Sequence, residues 1–334
     1  MSIFYLDGKT FEARSGETVL DALLRHEYPA SYSCRKGRCR SCLLKYVGGD
    51  LALMAQRGLE IEYKQEGLIF ACQCIPSHGL ALETGNSEQL YIAAPIIAKT
   101  FLSENVIKLV LDVSGPKRYL AGQSVNLRLN NGIGRTFAIA KAQDNTLEFH
   151  IRRKRNGKFS DWLFYHANNG DELFLQGPWG HCHYYPGLPD DILVLIGGGT
   201  GLGAVVGIAE EALERGHRGE IYLYHYGRNL DDLYQHKYLL QRMLMHKTFF
   251  YQACVGAESE KSQVDGKRVR LADPIELVAG RHQFSRQFRV FICGEPKMVL
   301  RGQERIFLAG VPIERIHVLS FDYRELRKRP RTWG

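Results

Sequence analysis

Four cysteines constrain this chain more than any other feature of its sequence. Cys34, Cys39, Cys42 and Cys72 follow the spacing C-x4-C-x2-C-x29-C. In this spacing four thiolates hold the two irons of a [2Fe–2S] cluster, and one loop supplies three of them. Gly37 gives the loop backbone the freedom that wrapping around the inorganic sulfides requires. The spacing therefore predicts an iron–sulfur domain with these four cysteines as metal ligands.

Two other uses of the four cysteines fit the spacing less well. Structural zinc usually binds paired C-x2-4-C units, and the distant Cys72 has no such neighbour. Disulfides are disfavoured because nothing marks the chain for export, and thiols in the cytosol stay reduced. A zinc-stapled nucleotide-binding module remains open as an alternative that is not an enzyme.

Length and composition predict a folded protein of several domains. A chain of 334 residues exceeds one core of ordinary size. The N-terminus shows no basic segment followed by an apolar one, so we expect no signal peptide. The longest uncharged stretch, 192–209, contains six glycines and favours a nucleotide-binding turn over a membrane span. We expect a cytoplasmic protein that does not enter a membrane.

The net charge of +8 is concentrated partly around the cysteine loop. Arg35, Lys36, Arg38 and Arg40 lie between or beside the ligands, where cations would steer an acidic electron-acceptor protein into place. A second basic group, at 324–331, has no interleaved aromatic residues, and we expect no nucleic-acid binding from it.

Three changes of pattern along the chain predict three domains. Residues 1–88 predict a small sheet crossed by a helix over 18–26, as in the β-grasp fold of plant-type [2Fe–2S] ferredoxins. Residues 95–187 alternate apolar and polar positions, which predicts a six-stranded antiparallel barrel with one helix over 160–166. Residues 188–334 alternate apolar strands with helices, which predicts a parallel α/β sheet. The fold class is therefore multidomain, combining α+β and α/β architecture.

Two segments indicate phosphate binding. The turn from Gly197 to Gly203 lies between a predicted strand and helix, where backbone N–H groups can hold a pyrophosphate. It departs from G-x-G-x-x-G, because Ala204 stands at the last position. In the middle domain, Arg135 and Arg152 are candidates for neutralising phosphates, and 157–160 opens a helix whose N-terminus points donors at an anion.

The order of these blocks, with Cys293-Gly294-Glu295-Pro296 near the end, resembles one family over about residues 1–321. These are the reductase components of bacterial multicomponent aromatic-ring oxygenases, flavoproteins of the ferredoxin–NAD(P) reductase type with an N-terminal ferredoxin. The resemblance implies FAD in the barrel, NADH or NADPH in the α/β domain, and electron output through the cluster. The acceptor would be an oxygenase component or its ferredoxin in the catabolism of aromatic hydrocarbons. A reductase partner of a nucleotide-sugar dehydratase in deoxysugar synthesis is the enzymatic alternative.

The resemblance also implies site residues. Flavin-binding roles fall on Arg135, Thr136, Phe137, Ala138, His150, Ile151, Arg152, Gly157, Lys158, Phe159, Ser160 and Phe321. Nucleotide-binding roles fall on Gly198, Gly199, Thr200, Gly201, Leu202, Gly203, Gly227, Arg228, Cys293 and Gly294. Cys293 and Ala138 are the residues expected nearest to the hydride transfer.

Three positions depart from the family pattern. Ala138 stands where the family usually has a serine or threonine hydroxyl near flavin N5, so we expect slower hydride transfer or altered flavin reactivity. Leu319 stands where an acid is usual, and Arg40 replaces a residue that is frequently small.

The remaining predictions concern the coenzyme and the other thiols. Glu258 favours NADH through a ribose hydroxyl, although Arg228, Lys261 and Arg268 are candidates for binding a 2′-phosphate. The sequence favours NADH. Cys74, Cys182 and Cys254 are expected to be core or surface thiols. Consecutive strand residues point to opposite faces, so 181–183 is not expected to bind a metal.

Overall fold

The computed structural model describes residues 1–32, 34–37, 39–84, 91–115, 117–256 and 268–321. These residues form three sheets of five, seven and six strands, each built from one continuous part of the chain. Among the described residues, no helix combines the length and the apolar character needed to cross a lipid bilayer.

The N-terminal sheet belongs to the predicted β-grasp domain, and its strand order is β2-β1-β5-β3-β4. Its strands are β1 (Ser2–Leu6), β2 (Lys9–Ala13), β3 (Leu43–Gly48), β4 (Leu68–Phe70) and β5 (Leu80–Glu83). The helices are α1 (Val19–Arg25) and α2 (Ile61–Gln65), with a 3-10 turn at Leu53–Gln56 between them. The β1–β2 hairpin turns at Asp7 and Gly8, whose φ values of 51° and 73° match the twist of a tight hairpin.

Helix α1 crosses this sheet as the sequence predicts. The Thr18 Oγ1 atom accepts a hydrogen bond from the Asp21 N–H at 3.1 Å and so caps the helix. Leu20 and Leu23 are fully buried against Phe4 and Phe70 in one apolar core. Because Cys42 and Cys72 belong to the same core, the cluster loop is anchored to the packed interior of the domain.

The middle sheet is antiparallel throughout, in the order β10-β11-β7-β6-β12-β8-β9. Its strands are β6 (Ile92–Ser103), β7 (Val106–Asp112), β8 (Ser124–Arg128), β9 (Gly134–Ala138), β10 (Lys141–Gln143), β11 (Thr146–Arg152) and β12 (Glu172–Trp179). The sheet thus has seven strands where the sequence predicts six, and β10 at its edge is a three-residue partner of β11. Helix α3 (Lys158–Tyr165) begins two residues before its predicted start.

The C-terminal sheet is parallel, in the order β16-β15-β14-β13-β17-β18. Its strands are β13 (Ile192–Gly198), β14 (Ile221–Gly227), β15 (Phe249–Val255), β16 (Val269–Leu271), β17 (Phe288–Gly294) and β18 (Ile316–Ser320). Its helices are α4 (Gly201–Glu214), α5 (His236–Met245), α6 (Pro274–Arg281) and α7 (Pro296–Leu308). Separate apolar clusters cover its two faces, which confirms the predicted α/β build. The strand order reverses at β13, and ligands of such sheets bind at the carboxyl ends of the strands there.

Helix α4 joins the parallel sheet to the barrel through glycines. A Cβ at Gly207 would lie 1.7 Å from the Ala140 carbonyl oxygen, and one at Gly203 would lie 2.7 Å from His150 Nδ1. Only glycine permits this approach, so the flavin-domain strands and the nucleotide turn stand side by side.

Candidate functional site

The cluster loop runs between α1 and β3 with an unusual backbone. Arg35, Gly37 and Arg40 have φ values of 55°, 68° and 57°, in the left-handed region. This curvature turns backbone N–H groups towards the first two ligands. The Cys34 sulfur accepts from the N–H groups of Lys36 at 3.3 Å and Cys39 at 3.4 Å. Such donors stabilise negative charge on a metal-bound sulfur.

The four predicted ligands lie in two pairs. Cys34 is hydrogen-bonded to Cys39 through their thiols, and this bond together with burial raises the pKa of Cys39. The Cys42 thiol lowers the pKa of Cys72 to about 7 by a hydrogen bond. Among the described residues, no group of three or more His, Cys, Asp or Glu side chains is arranged to hold a single metal ion. One pair per iron fits a binuclear cluster, whereas zinc would gather all four thiolates around one ion.

Gln73 ties the fourth ligand to the loop. Its Nε2 atom donates to the Cys72 sulfur at 3.5 Å, to the Cys72 carbonyl oxygen at 2.8 Å and to the Arg35 carbonyl oxygen at 3.3 Å. The side chain therefore touches a ligand sulfur and the loop that carries three further ligands.

A cavity of about 330 Å³ opens beside the cluster loop, between the three domains. Predicted flavin residues that line it are Arg135, Thr136, Phe137, Ala138, His150, Ile151, Arg152, Gly157, Phe159, Ser160 and Phe321. Lys158 is not among its lining residues, although it begins α3 beside Gly157. Cys34 and Cys39 line the same cavity, so the predicted cluster and the predicted flavin site adjoin.

The barrel wall of this cavity carries an aromatic pair and a buried polar row. The Phe137 ring lies 5.3 Å from the Phe159 ring, which provides the aromatic surface predicted for the flavin. The Thr136 hydroxyl donates to Asn126 Oδ1 at 2.7 Å, and Asn126 Nδ2 donates to Gln176 Oε1 at 3.0 Å. These bonds fix the strand that carries the predicted residues.

The start of α3 is shaped for close approach. A Cβ at Gly157 would lie 2.6 Å from Ser160 Oγ, and Ser160 Oγ accepts from the Lys154 N–H at 3.0 Å. A tight turn opening a helix suits a pyrophosphate, so these residues fit the FAD that the sequence predicts.

The two arginines predicted to meet phosphates line the cavity while making contacts between domains. Arg135 Nη1 donates to the Tyr32 carbonyl oxygen at 3.2 Å, and its guanidinium lies 4.6 Å from the centre of the Tyr32 ring. Arg152 Nη1 donates to Asp232 Oδ1 at 2.6 Å. Their contacts with phosphates stay predictions. The structure shows that Arg135 joins the barrel to the cluster domain and that Arg152 joins it to the α/β domain.

His150 and Ile151 differ in what surrounds them on β11. His150 Nδ1 is hydrogen-bonded to the Tyr234 hydroxyl at 3.1 Å and Nε2 to Glu148 Oε1 at 3.0 Å. Ile151 is buried in the barrel core. We interpret His150 as part of the contact with the α/β domain.

The predicted nucleotide turn lies at the carboxyl end of β13. Gly199 has a φ of 56°, and α4 begins at Gly201 with its backbone N–H groups directed at the turn. A Cβ at Gly201 would lie 2.3 Å from the Cys293 carbonyl oxygen, and one at Gly198 would lie 2.9 Å from the Met298 methyl group. The predicted residues Gly198, Gly199, Thr200, Gly201, Leu202 and Gly203 are thus brought together with Cys293 and Gly294.

Cys293 is fully buried, and its sulfur lies 3.7 Å from the Cys182 sulfur. The hydrogen bond with Cys182 and burial raise the pKa of Cys293. Cys182, predicted to be a core or surface thiol, follows the barrel strand β12, so this contact joins two domains. Gly294 accepts a hydrogen bond on its carbonyl oxygen from the Phe321 N–H at 2.8 Å, which places the last described residue at the same site.

The loop after β14 carries the other predicted nucleotide residues, Gly227 and Arg228. A Cβ at Gly227 would lie 2.8 Å from the Asp232 side chain, so glycine is required there. The Arg228 N–H donates to Asp232 Oδ2 at 3.1 Å, and the Arg228 guanidinium pairs with the same carboxylate at 3.4 Å. Glu258 and Lys261, the other coenzyme candidates, lie outside the described residues, whereas Arg268 is described and exposed.

Cavity residues that the sequence reasoning missed include Tyr32, Ser124 and Trp179. Ser124 stands opposite both Ala138 on β9 and Trp179 on β12. No motif marks these residues, because strand register and the approach of the cluster domain bring them to the cavity. Leu319, which stands where the family usually has an acid, also lines the cavity.

Comparisons with known proteins agree with this build. Three family models match: a 2Fe-2S iron-sulfur cluster binding domain at 4–77, an oxidoreductase FAD-binding domain at 93–184 and an oxidoreductase NAD-binding domain at 195–303. The reductase subunit of an aromatic O-demethylase from Amycolatopsis is 29% identical, covering 94% of this chain and 96% of that protein. The ferredoxin–NAD(+) reductase component of an alkene monooxygenase system from Xanthobacter autotrophicus is 33% identical, covering 65% and 70%.

Solved structures share the whole architecture. The crystal structure of an Amycolatopsis cytochrome P450 reductase superposes with a TM-score of 0.64 at 27% identity, covering 96% of this chain and 99% of that one. The ferredoxin reductase of carbazole 1,9a-dioxygenase, at 22% identity, has the same fold with a TM-score of 0.65, covering 96% and 98%.

Fold, cavity and relatives together define a three-domain flavin and iron–sulfur electron carrier. The chain belongs to the ferredoxin-fused, FAD- and NAD(P)-binding reductases of oxygenase systems. It is an NAD(P)H-dependent oxidoreductase whose cofactors are a [2Fe–2S] cluster, FAD and a nicotinamide nucleotide. The zinc-stapled, non-redox alternative is therefore wrong.

Proposed function

We propose that this chain supplies electrons to the oxygenase component, or the ferredoxin, of a multicomponent oxygenase acting on aromatic compounds. The observation that carries the proposal is the shared cavity, in which Cys34 and Cys39 meet the flavin strands. Relatives along nearly the whole chain, named as the reductase subunit of an aromatic O-demethylase and the reductase component of a phenol 2-monooxygenase, support the acceptor class.

The chain's own residues define what each part contributes. When bound, FAD converts the hydride of a nicotinamide into single electrons that an iron–sulfur cluster can carry. Phe137 and Phe159 offer it an aromatic wall, and the turn at Gly157 offers backbone donors for its pyrophosphate. Gly201 lets the nucleotide turn approach the Cys293 carbonyl closely, and Thr200 of the same turn lines the cavity. We propose that the predicted flavin-binding residues hold FAD and that the predicted nucleotide-binding residues hold the nicotinamide nucleotide.

We propose that an acidic acceptor docks over the tip of the cluster loop, around Lys36. Among the described members of the basic group, Lys36 is the exposed one. Arg35 forms an ion pair with Asp21 and Arg40 one with Glu60, so the two carboxylates neutralise much of their charge. Arg38 lies outside the described residues. The Arg35 and Arg40 side chains are also only 15% and 17% exposed, so Lys36 is the described loop cation most accessible to an acidic partner.

We propose NADH as the coenzyme. Arg228, a candidate for binding a 2′-phosphate, is already paired with Asp232, and that carboxylate would repel a phosphate placed beside it. The neighbouring acid thus disfavours NADPH at this loop.

Reconstitution with purified oxygenases tests the acceptor. The holoprotein should support substrate-dependent NADH oxidation by an aromatic hydroxylase or dioxygenase that lacks its own reductase, with a higher kcat/KM for NADH than for NADPH. Transfer to a nucleotide-sugar dehydratase, with none to the oxygenases, would replace the proposal by the enzymatic alternative.

The charge reversal Lys36→Glu tests the docking surface. We expect slower reduction of the oxygenase partner at low salt and no change in flavin reduction by NADH, because that step needs no docked partner. Lys64→Glu on α2 is the matched control. Equal partner rates for the wild type and Lys36→Glu would contradict docking at this tip.

A further inference from the structure

Arg40 occupies an unusual place between the second and third cluster ligands. Its side chain is only 17% exposed and is directed at the barrel, and it lines the flavin cavity with Cys34 and Cys39. The guanidinium lies 5.5 Å from the centre of the Trp179 ring, at the end of β12. A guanidinium over an indole face is attracted by the ring quadrupole. Arg40 thus connects the cluster loop to the barrel wall.

Trp179 receives a second contact from the cluster domain. Its indole Nε1 donates to the Tyr63 hydroxyl of α2 at 3.5 Å. Tyr63 packs against the apolar core of that domain, and this packing holds in place the hydroxyl that contacts Trp179. Arg40 is held in turn by Glu60, whose Oε2 accepts from Arg40 Nε at 3.3 Å. The Trp179 indole is therefore contacted by two elements of the cluster domain, the cluster loop and α2.

A further contact between the cluster domain and the barrel lies on the N-terminal side of the cluster ligands. The Ser31 hydroxyl donates to the Gly132 carbonyl oxygen at 2.6 Å, in the turn between β8 and β9. A Cβ at Gly132 would lie 2.5 Å from the Pro29 carbonyl oxygen, so the two backbones approach closely. This contact fixes the segment before the cluster ligands, whereas the Arg40–Trp179 contact fixes the segment between them.

The geometry points to Arg40 and Trp179 as positioning residues that hold the cluster loop at the flavin cavity and thereby set the rate of electron transfer from flavin to cluster. Each transfer moves one electron from reduced flavin to the oxidised cluster, and no bond forms or breaks. The inference rests on the internal electron path and not on the acceptor proposed above. Displacing the loop would lengthen the gap between donor and acceptor without removing either.

Rapid mixing of the holoprotein with NADH under anaerobic conditions tests the inference, because flavin and cluster bleach at different wavelengths. Arg40→Ala and Trp179→Leu should each lower the ratio of the cluster rate to the flavin rate by about tenfold or more, as expected for a misplaced reacting group. Trp179→Phe keeps an aromatic face and should recover most of the ratio. The double variant should lower the ratio by less than the product of the two single effects, since both substitutions remove the same Arg40–Trp179 contact.

Controls separate positioning from loss of the cluster or of charge. Arg57→Ala removes an exposed arginine of the same domain and should leave the ratio at the wild-type value. Iron content and the electron paramagnetic resonance spectrum after dithionite reduction should match the wild type in every variant. Trp179→Leu leaves the loop sequence intact, so it remains informative if Arg40→Ala loses iron. An unchanged ratio in Trp179→Leu, or an equal fall in Arg57→Ala, would overturn the inference whichever acceptor is used.

Discussion

Cysteine sulfurs meet in pairs at two places in this molecule, and their surroundings differ. In the cluster loop, backbone N–H groups point at the Cys34 and Cys39 sulfurs. Between the barrel and the parallel sheet, Cys182 and Cys293 lie 3.7 Å apart within an apolar core. Donors suit a metal-bound thiolate, whereas apolar burial keeps a thiol protonated. The difference shows that surroundings, rather than proximity, decide what paired sulfurs do.

The largest expected effect comes from exchanging one sulfur of each pair. Cys39→Ser should abolish the cluster, because a hydroxyl is a poor ligand for iron, and should stop NADH-dependent reduction of one-electron protein acceptors. Cys293→Ser should retain about two irons and two sulfides per chain. Iron and acid-labile sulfide assays measure both. Full iron content in Cys39→Ser would remove it from the ligand set.

The second cysteine pair lies beside the predicted nucleotide turn, which packs closely against Cys293. Gly201→Ala would place a methyl group 2.3 Å from the Cys293 carbonyl oxygen, so the turn must shift. We expect NADH-driven flavin reduction to fall by about tenfold or more, while dithionite still reduces the cluster.

Gly280→Ala in α6 is the control, because a Cβ there meets nothing within 4 Å. Stopped-flow absorbance separates the two variants. A wild-type flavin rate in Gly201→Ala would show that the turn adapts without loss of function.

Acid should affect the two ends of the molecule in different ranges of pH. Burial lowers the pKa of His225 to about 3 and those of His282 and His317 to about 4, all in the α/β domain. Below pH 6.5 the unfolded domain binds protons that the folded domain rejects. Its free energy of unfolding should therefore fall from about pH 6.5 to about pH 4, by up to about 1.4 kcal/mol per pH unit for each histidine.

The cluster domain should lose stability at lower pH. The Arg25 side chain lowers the pKa of Glu17, so that contribution is lost only as the pH falls below 4.5. Hydrogen exchange of β13–β18 and β1–β5 peptides, corrected for the intrinsic rate, measures each range. His282→Gln should flatten the dependence in the α/β domain. A slope as steep as that of the wild type would count against the histidine explanation.

The smallest expected effect concerns the hydrogen bond from Gln73 to the Cys72 sulfur. Donors to the sulfurs favour the reduced cluster, so Gln73→Leu should lower the midpoint potential by roughly 40 mV, the equivalent of about 1 kcal/mol for one electron. Gln56→Leu is matched in residue type but bonds the Leu68 carbonyl instead. A redox titration followed by electron paramagnetic resonance compares the two. Equal shifts would mean that the Gln73–sulfur contact does not tune the cluster.

Local signals were readable from the sequence, and contacts between domains were not. The hairpin at Asp7-Gly8 and the glycine turn after β13 depend on neighbouring residues, and the structure confirms both predictions. The roles of Arg135 and Trp179 depend on how the cluster domain meets the barrel, which no periodicity encodes. The sequence predicts six strands where the barrel sheet has seven, and a strand of three residues such as β10 is too short to show alternation.

The cavity wall described above draws on residues from Tyr32 to Phe321, nearly the full length of the described chain. During synthesis the cluster domain emerges first and can fold by itself, since domains generally fold as units. The cavity proposed for the flavin is complete only when β18 has left the ribosome. Tight retention of the cofactor therefore has to wait for almost the entire polypeptide, and nascent chains cut short before that strand would hold iron without a donor to reduce it.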